Sequence, residues 1–176
     1  MFASLKNKLA NFIIKKKYVK KNQPVLSFNN FFTESVFYLV IMPQEDKDFL
    51  NSLSILKFLI DNNKNITVFL PEKSLNLVPA RGNLKFLTYT EGEVSMLNLP
   101  KRSYVKRLKK KSFDVIIDLN VFDNVFAAAI SNIIESSFRI CLIRNNSDIY
   151  YNLQFPNDKN NSEISYKNLL NSLGMF

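Results

Sequence analysis

The chain has no histidine, a single cysteine and only three glycines, and each shortage removes a class of chemistry. Without imidazole there is no side chain that titrates near neutrality unperturbed, so histidine general-base catalysis is excluded. Acid–base work would fall to carboxylates, tyrosines or lysines. One cysteine excludes an internal disulfide, and with no histidine beside it a zinc site lacks its usual ligands. Set between Ile140 and Leu142, Cys141 reads as a small buried hydrophobe rather than a nucleophile. Gly82, Gly92 and Gly174 are scattered, and none follows a strand into a helix. The glycine-rich cradle of phosphate-binding loops is therefore missing. No stretch reaches the ~18 to 20 uninterrupted apolar residues that span a bilayer. The N-terminus interleaves apolar residues with lysines and has no small-residue cleavage site, unlike a secretory signal. These absences predict an intracellular, cytoplasmic protein that uses no metal and no cofactor.

Acid is missing from two places. Residues 1–21 hold seven lysines, among them Lys15, Lys16 and Lys17, and no acid. Residues 101–111 hold seven more bases, among them Lys106 and Arg107, again with no acid. The rest of the chain carries ten bases against 15 acids, so a mildly acidic body bears two basic patches within a net charge of +9. A protein built for nucleic acid would spread its positive charge more widely and interleave aromatics with it. Only Tyr104 is available in the second patch, so no nucleic-acid partner is expected.

What is present is a strong alternation of strand and helix patterns. In residues 1–21, Phe2, Leu5, Leu9, Phe12 and Ile13 recur at helical spacing with lysines on the other face. Such a helix either anchors at an anionic membrane surface or packs its stripe on the domain. Residues 22–35, with Pro24 and paired asparagines, read as a linker. From residue 36 the chain reads as one domain to residue 176. Val36 to Met42 and Phe113 to Leu119 are continuous apolar runs suited to strands buried on both faces, as in a parallel sheet. Ile66–Leu70, Leu84–Thr88 and Phe138–Ile143 are further strands, and Ile149–Phe155 is extended. Helical periodicity covers Phe49–Ile60, Tyr104–Lys111, Phe122–Glu135 and Ser165–Leu173. The alternation predicts an α/β, Rossmann-like domain: a mostly parallel sheet, helices on both faces, and a basic amphipathic helix in front. In such sheets ligands bind beyond the carboxyl ends of the strands, which directs attention to the loops after Met42 and Leu119.

The order of segments resembles the N-terminal domain of family 9, heptosyltransferase-like glycosyltransferases over about residues 36–174. Tyr38-Leu-Val-Ile-Met42 is similar to the family's "ILVIR" strand. Lys47-Asp-Phe-Leu-Asn51 falls on its Gly-Asp segment, and Leu53 to Leu59 on the helix that follows. Phe113-Asp-Val-Ile-Ile-Asp-Leu-Asn120 looks like "YDLVIDLQ", and Phe126–Ala129 with Arg139-Ile-Cys141 looks like the Ala-rich helix and "RIG". Tyr166 to Gly174 is similar to the closing "LLEALG" helix. The departures are specific: Lys47 stands where the family has glycine, and Asn124 where it has a basic residue. The chain also stops where the family's second, donor-binding domain would begin.

The resemblance implies a degenerate or stand-alone acceptor-side domain of a glycosyltransferase of cell-envelope glycans, inactive alone, or else one half of a split glycosyltransferase. Its partners would be an anionic membrane surface or a lipid-linked glycan acceptor at the inner face of the membrane and, for the split enzyme, a separate donor-binding subunit. Asp48 takes the place of the catalytic base that deprotonates the acceptor hydroxyl; otherwise Asp46 or Asp48 simply caps and complements a helix N-terminus. Asp118, Asn120, Asp123 and Asn124 would line the acceptor cleft, or else serve as strand-end and capping residues. Lys15, Lys16, Lys17, Lys106 and Arg107 would meet membrane or phosphate, or else form solvated helix faces. A plain interaction module is the alternative from a different class. Asp114 is expected to start its strand and make no special contact.

Overall fold

A computed structural model of the chain describes residues 2–20, 26–79 and 84–176, with side chains from residue 5 onward. Phe2's part in the apolar stripe, Lys21, Pro24 and Gly82 thus lie outside what is described. Among the described residues six strands form one sheet: β1 (Phe37–Ile41), β2 (Asn65–Pro71), β3 (Lys85–Tyr89), β4 (Ser112–Asp118), β5 (Glu135–Leu142) and β6 (Leu153–Phe155). Their order is β3-β2-β1-β4-β5-β6, and every neighbouring pair is parallel. The two apolar runs lie side by side at the centre, with Tyr38 opposite Val115 and Ile41 opposite Asp118. The chain is therefore a Rossmann-like α/β domain.

Among the described residues seven α-helices surround the sheet: α1 (Phe2–Lys17), α2 (Phe31–Glu34), α3 (Asp46–Asp61), α4 (Arg102–Leu108), α5 (Val125–Ile133), α6 (Ser147–Tyr150) and α7 (Ser162–Leu173). The strand period of two divides their packing. Tyr38, Val40, Val115 and Ile117 face a core filled by α2, α3 and α7. Leu39, Ile41 and Ile116 face a second core filled by α1, α4 and α5. A parallel sheet buried this way on both faces needs apolar residues at consecutive positions, which is why β1 and β4 read as unbroken runs.

Several elements differ from expectation. Helix α5 starts at Val125 rather than Phe122, whose side chain is exposed, because residues 119–124 form the loop that leaves β4. Residues 149–155 are not extended throughout: Asn146 takes a left-handed conformation and starts the short helix α6 before β6. Residues 26–35 carry more than a linker, since Phe31 and Phe32 are buried in the core. Lys64 secures that segment by donating to the carbonyls of Phe32 (2.5 Å), Thr33 (3.4 Å) and Ser35 (2.9 Å), with its ammonium 4.6 Å from the Phe32 ring centroid. It thus takes up orphan carbonyls at the end of α2.

The N-terminal helix does pack on the domain, against α5, but not through the expected stripe. Among its described side chains, Ala10 and Ile14 are fully buried, whereas Leu5, Leu9 and Phe12 are exposed to 67%, 49% and 61%. Ile13 is half-buried.

Candidate functional site

The carboxyl ends of β1, β2 and β3 open into a cleft of about 1160 Å³. Its walls come from the loop after β1 and the first turn of α3 (Gln44, Glu45, Asp46), the two-turn 3-10 segment Glu72–Leu77 after β2 (Glu72, Lys73, Ser74, Leu77), and the end of β3 with the residues that follow it (Tyr89, Thr90, Glu91). Pro43 and Pro71 end their strands because a ring nitrogen cannot continue the ladder, and so they set where the walls begin. Gln44 ties the first wall to the third by donating to the Tyr89 hydroxyl at 2.8 Å. Burial raises the Tyr89 hydroxyl above its ordinary pKa, while the bond from Gln44 works against it, so the ring enters the site as a neutral phenol. Thr90 and Glu93 form a reciprocal capping box that stiffens the third wall, and Arg107 of α4 pairs with Glu93 behind it.

The lining is acidic. Among the described residues that line it, Glu45, Asp46, Glu72 and Glu91 face one base, Lys73, whose ammonium lies 3.9 Å from Glu91. Carboxylates accept hydrogen bonds and repel anions. The cleft suits a neutral polyhydroxylated or cationic ligand and disfavours a polyphosphate.

At the point where the strand order reverses, between β1 and β4, the usual ligand crevice is filled. Met42, Gln44, Phe69, Tyr89, Asn124 and Phe126 leave a space of about 10 Å³ there, room for one water at most and far too little for a ligand. The loop after Met42 thus lines the open cleft as expected. The loop after Leu119 does not; its residues close the crevice or build the network beneath it.

That network is centred on Asp118. Its carboxylate is fully buried, with Oδ1 accepting from the Asn120 backbone N–H (3.0 Å) and Asn120 Nδ2 (2.6 Å), and Oδ2 accepting from Arg144 Nη2 (2.8 Å) and the Tyr151 hydroxyl (2.5 Å). Arg144 also donates to the Asn120 carbonyl at 2.6 Å. Burial alone would raise the Asp118 carboxyl, but the charge of Arg144 and the four donors outweigh it and hold the pKa below its ordinary value. Burial, and after it the charge of the same carboxylate, drives the Tyr151 hydroxyl well above its usual range. Among the described residues no buried side-chain polar atom lacks a partner. Each Asp118 oxygen already accepts two donors, so the carboxylate at the centre of the network is fully engaged within the protein.

The candidate residues therefore separate. Asp118 and Asn120 lie beneath the surface and line no open cleft. Asn124 donates to Asn120 Oδ1 at 3.1 Å and caps α5 by accepting from the Ala127 N–H at 3.0 Å. Asp123 is exposed, facing a small separate hollow beside Asn7, Asn11 and Arg144. Asp48 is half-buried in the first turn of α3, where its charge acts on the Tyr166 hydroxyl, after burial the main cause of that group's raised pKa. Asp46, two residues earlier, is the α3 carboxylate that lines the cleft. Lys106 and Arg107 lie on the exposed side of α4, whose Tyr104, Val105 and Leu108 are buried. Cys141 is buried and its thiol is pushed up to about 12, chiefly by burial, which leaves it protonated and inert.

Sequence reasoning missed Arg144, Tyr151 and Tyr89. A usable signal existed for the first: Asp118 and Arg144 both follow apolar strand runs, and strands that neighbour in parallel bring such ends together. No family model and no curated protein matches this chain, so its chemistry rests on the site itself. Among the described residues no helix is long and apolar enough to cross a membrane.

Proposed function

We propose that this chain is the acceptor-side domain of a family 9-like glycosyltransferase, one that transfers no sugar on its own and acts with a separate donor-binding half. The observation that carries the reading is the open, acidic, tyrosine-bearing cleft beside the first turn of α3. Sugar hydroxyls donate to carboxylates, and a phenol ring gives a sugar an apolar face to lie on. The filled crevice between β1 and β4, and the lack of a glycine-rich loop, speak against a nucleotide held in the Rossmann manner. In this reading a glycan, linked to lipid at the inner face of a membrane, enters the cleft from its neutral sugar end. Asp46 accepts from a hydroxyl there, and Asp48, two residues further along α3 and outside the lining of the cleft, is the base that the resemblance implies.

Saturation-transfer NMR with neutral oligosaccharides, beside ADP- and UDP-sugars, tests the proposal. Oligosaccharides are expected to show contact with Tyr89, weakened by Asp46→Ala, and nucleotide sugars none. Turnover of a nucleotide sugar by the chain alone, abolished by Asp48→Ala, would overturn the inactive half-enzyme. Absence of any saccharide contact would overturn the acceptor reading.

A further inference from the structure

The outer face of α1 has no task in the fold. At about 100° per residue, Leu5, Leu9 and Phe12 share the side opposite Ala10 and Ile14, the two residues that seat the helix on α5. Their exposure forms a continuous apolar ridge two to three turns long, and such ridges in water mark interaction surfaces. The same geometry sets Lys8 and Lys15 along one flank of the ridge and Lys6 and Lys17 along the other. Lys16 lies at its end, with its ammonium 5.9 Å from the Phe12 ring centroid. No acid occurs anywhere in residues 1–21. Helix α4, which carries Lys106 and Arg107, packs into the same core as α1, so the second basic patch belongs to the same face of the sheet.

We propose that this face docks the protein on an anionic lipid bilayer, with α1 lying in the plane of the interface. Leu5, Leu9 and Phe12 sink below the headgroups while the flanking lysines extend their stems outward and hold their ammonium groups at the phosphate level. The arrangement selects among occupants. Nucleic acid would engage the lysines and leave the ridge wet, since a single phenylalanine makes no stacking platform. A second copy, ridge against ridge, would bring the lysine rows of two helices together and meet like-charge repulsion. A bilayer with anionic headgroups satisfies ridge and lysines at once. The inference is independent of the saccharide reading, because it involves no residue of the cleft.

The chain has no tryptophan, so Phe12→Trp gives a reporter without background. On vesicles of phosphatidylcholine with phosphatidylglycerol its emission is expected to shift to the blue, and on pure phosphatidylcholine to stay unshifted. The full chain is expected to co-sediment with the anionic vesicles at low salt and at least about tenfold less at high salt. The triple change Leu5→Gln, Leu9→Gln and Phe12→Gln is expected to cut binding at least about tenfold at an unchanged melting temperature. No binding to anionic vesicles overturns the proposal, as does binding that the triple change leaves intact. Self-association abolished by the triple change, without vesicle binding, assigns the ridge to a second copy and overturns it equally. So does tighter binding to single-stranded RNA than to vesicles.

Discussion

One carboxylate oxygen of Asp114, Oδ2, accepts the backbone N–H groups of both Val36 and Phe37, each at 2.8 Å. The contact joins the start of β4 to the start of β1, where the two amides have no strand partner. Asp114 was expected to make no special contact, and its role is instead to close the open end of the central strand pair. Asp114→Ala leaves both donors without it and is expected to cost about 2 kcal/mol, read as a lowered urea midpoint. A change below about 0.5 kcal/mol would mean that water replaces the carboxylate at no loss.

The buried pair Asp118–Arg144 predicts strong non-additivity. Either Asp118→Ala or Arg144→Ala strands a buried charge and is expected to cost about 3–5 kcal/mol. The pair Asp118→Leu with Arg144→Met removes both charges and is expected to cost much less than the sum of the two single changes. Chemical denaturation of the three variants closes the cycle. Additive losses would show that the two residues contribute separately, contrary to their geometry.

The same pair sets a pH dependence. The Asp118 carboxyl lies below its ordinary value of 3.8 when folded, so the unfolded chain binds a proton there first. Its contribution is complete above that ordinary value and is lost as pH falls through the folded pKa. Stability is expected to drop on acidification below about pH 4, and the part due to this residue disappears in Asp118→Asn. Equal acid sensitivity of the wild type and of Asp118→Asn would place the effect elsewhere.

Helix α1 offers a test within one turn. Ile14 is fully buried and Phe12 is largely exposed. Ile14→Ala is expected to cost about 2–4 kcal/mol, and Phe12→Ala less than about 0.5 kcal/mol. Comparable losses from both would mean that the outer ridge is covered in solution.

The parts of this fold that could be read from sequence are those in which side-chain pattern alone determines burial. Val36–Met42 and Phe113–Leu119 are apolar at consecutive positions, and only a central parallel strand uses such a run fully. Helix α1 shows the limit of the method. Periodicity tells which residues share a face, not which face has a neighbour, and here the narrow face of Ala10 and Ile14 found α5. The site was harder still. Arg144 and Tyr151 reach Asp118 across 26 and 33 residues of sequence, and hydrogen bonds between loop ends leave no periodic trace. Asp118, Asn120 and Asn124 were singled out together and do form one chain of hydrogen bonds, but as the support beneath a crevice that is closed. The cleft itself lies over β1–β3, where Tyr89 and Glu91 stand in a segment that carried no motif.

The all-parallel order β3-β2-β1-β4-β5-β6 also shapes how the protein is made. No two neighbouring strands are joined by a hairpin, and β1 must wait for β4, whose contacting residues lie 77 positions further along the chain. During synthesis β1, β2 and β3 leave the ribosome first and can pair among themselves. Until β4 follows, β1 presents an open apolar edge, a ready template for a strand of another chain. Insertion of β4 beside it completes the sheet's centre and removes that edge, so the risk of aggregation is concentrated in the interval between those two strands.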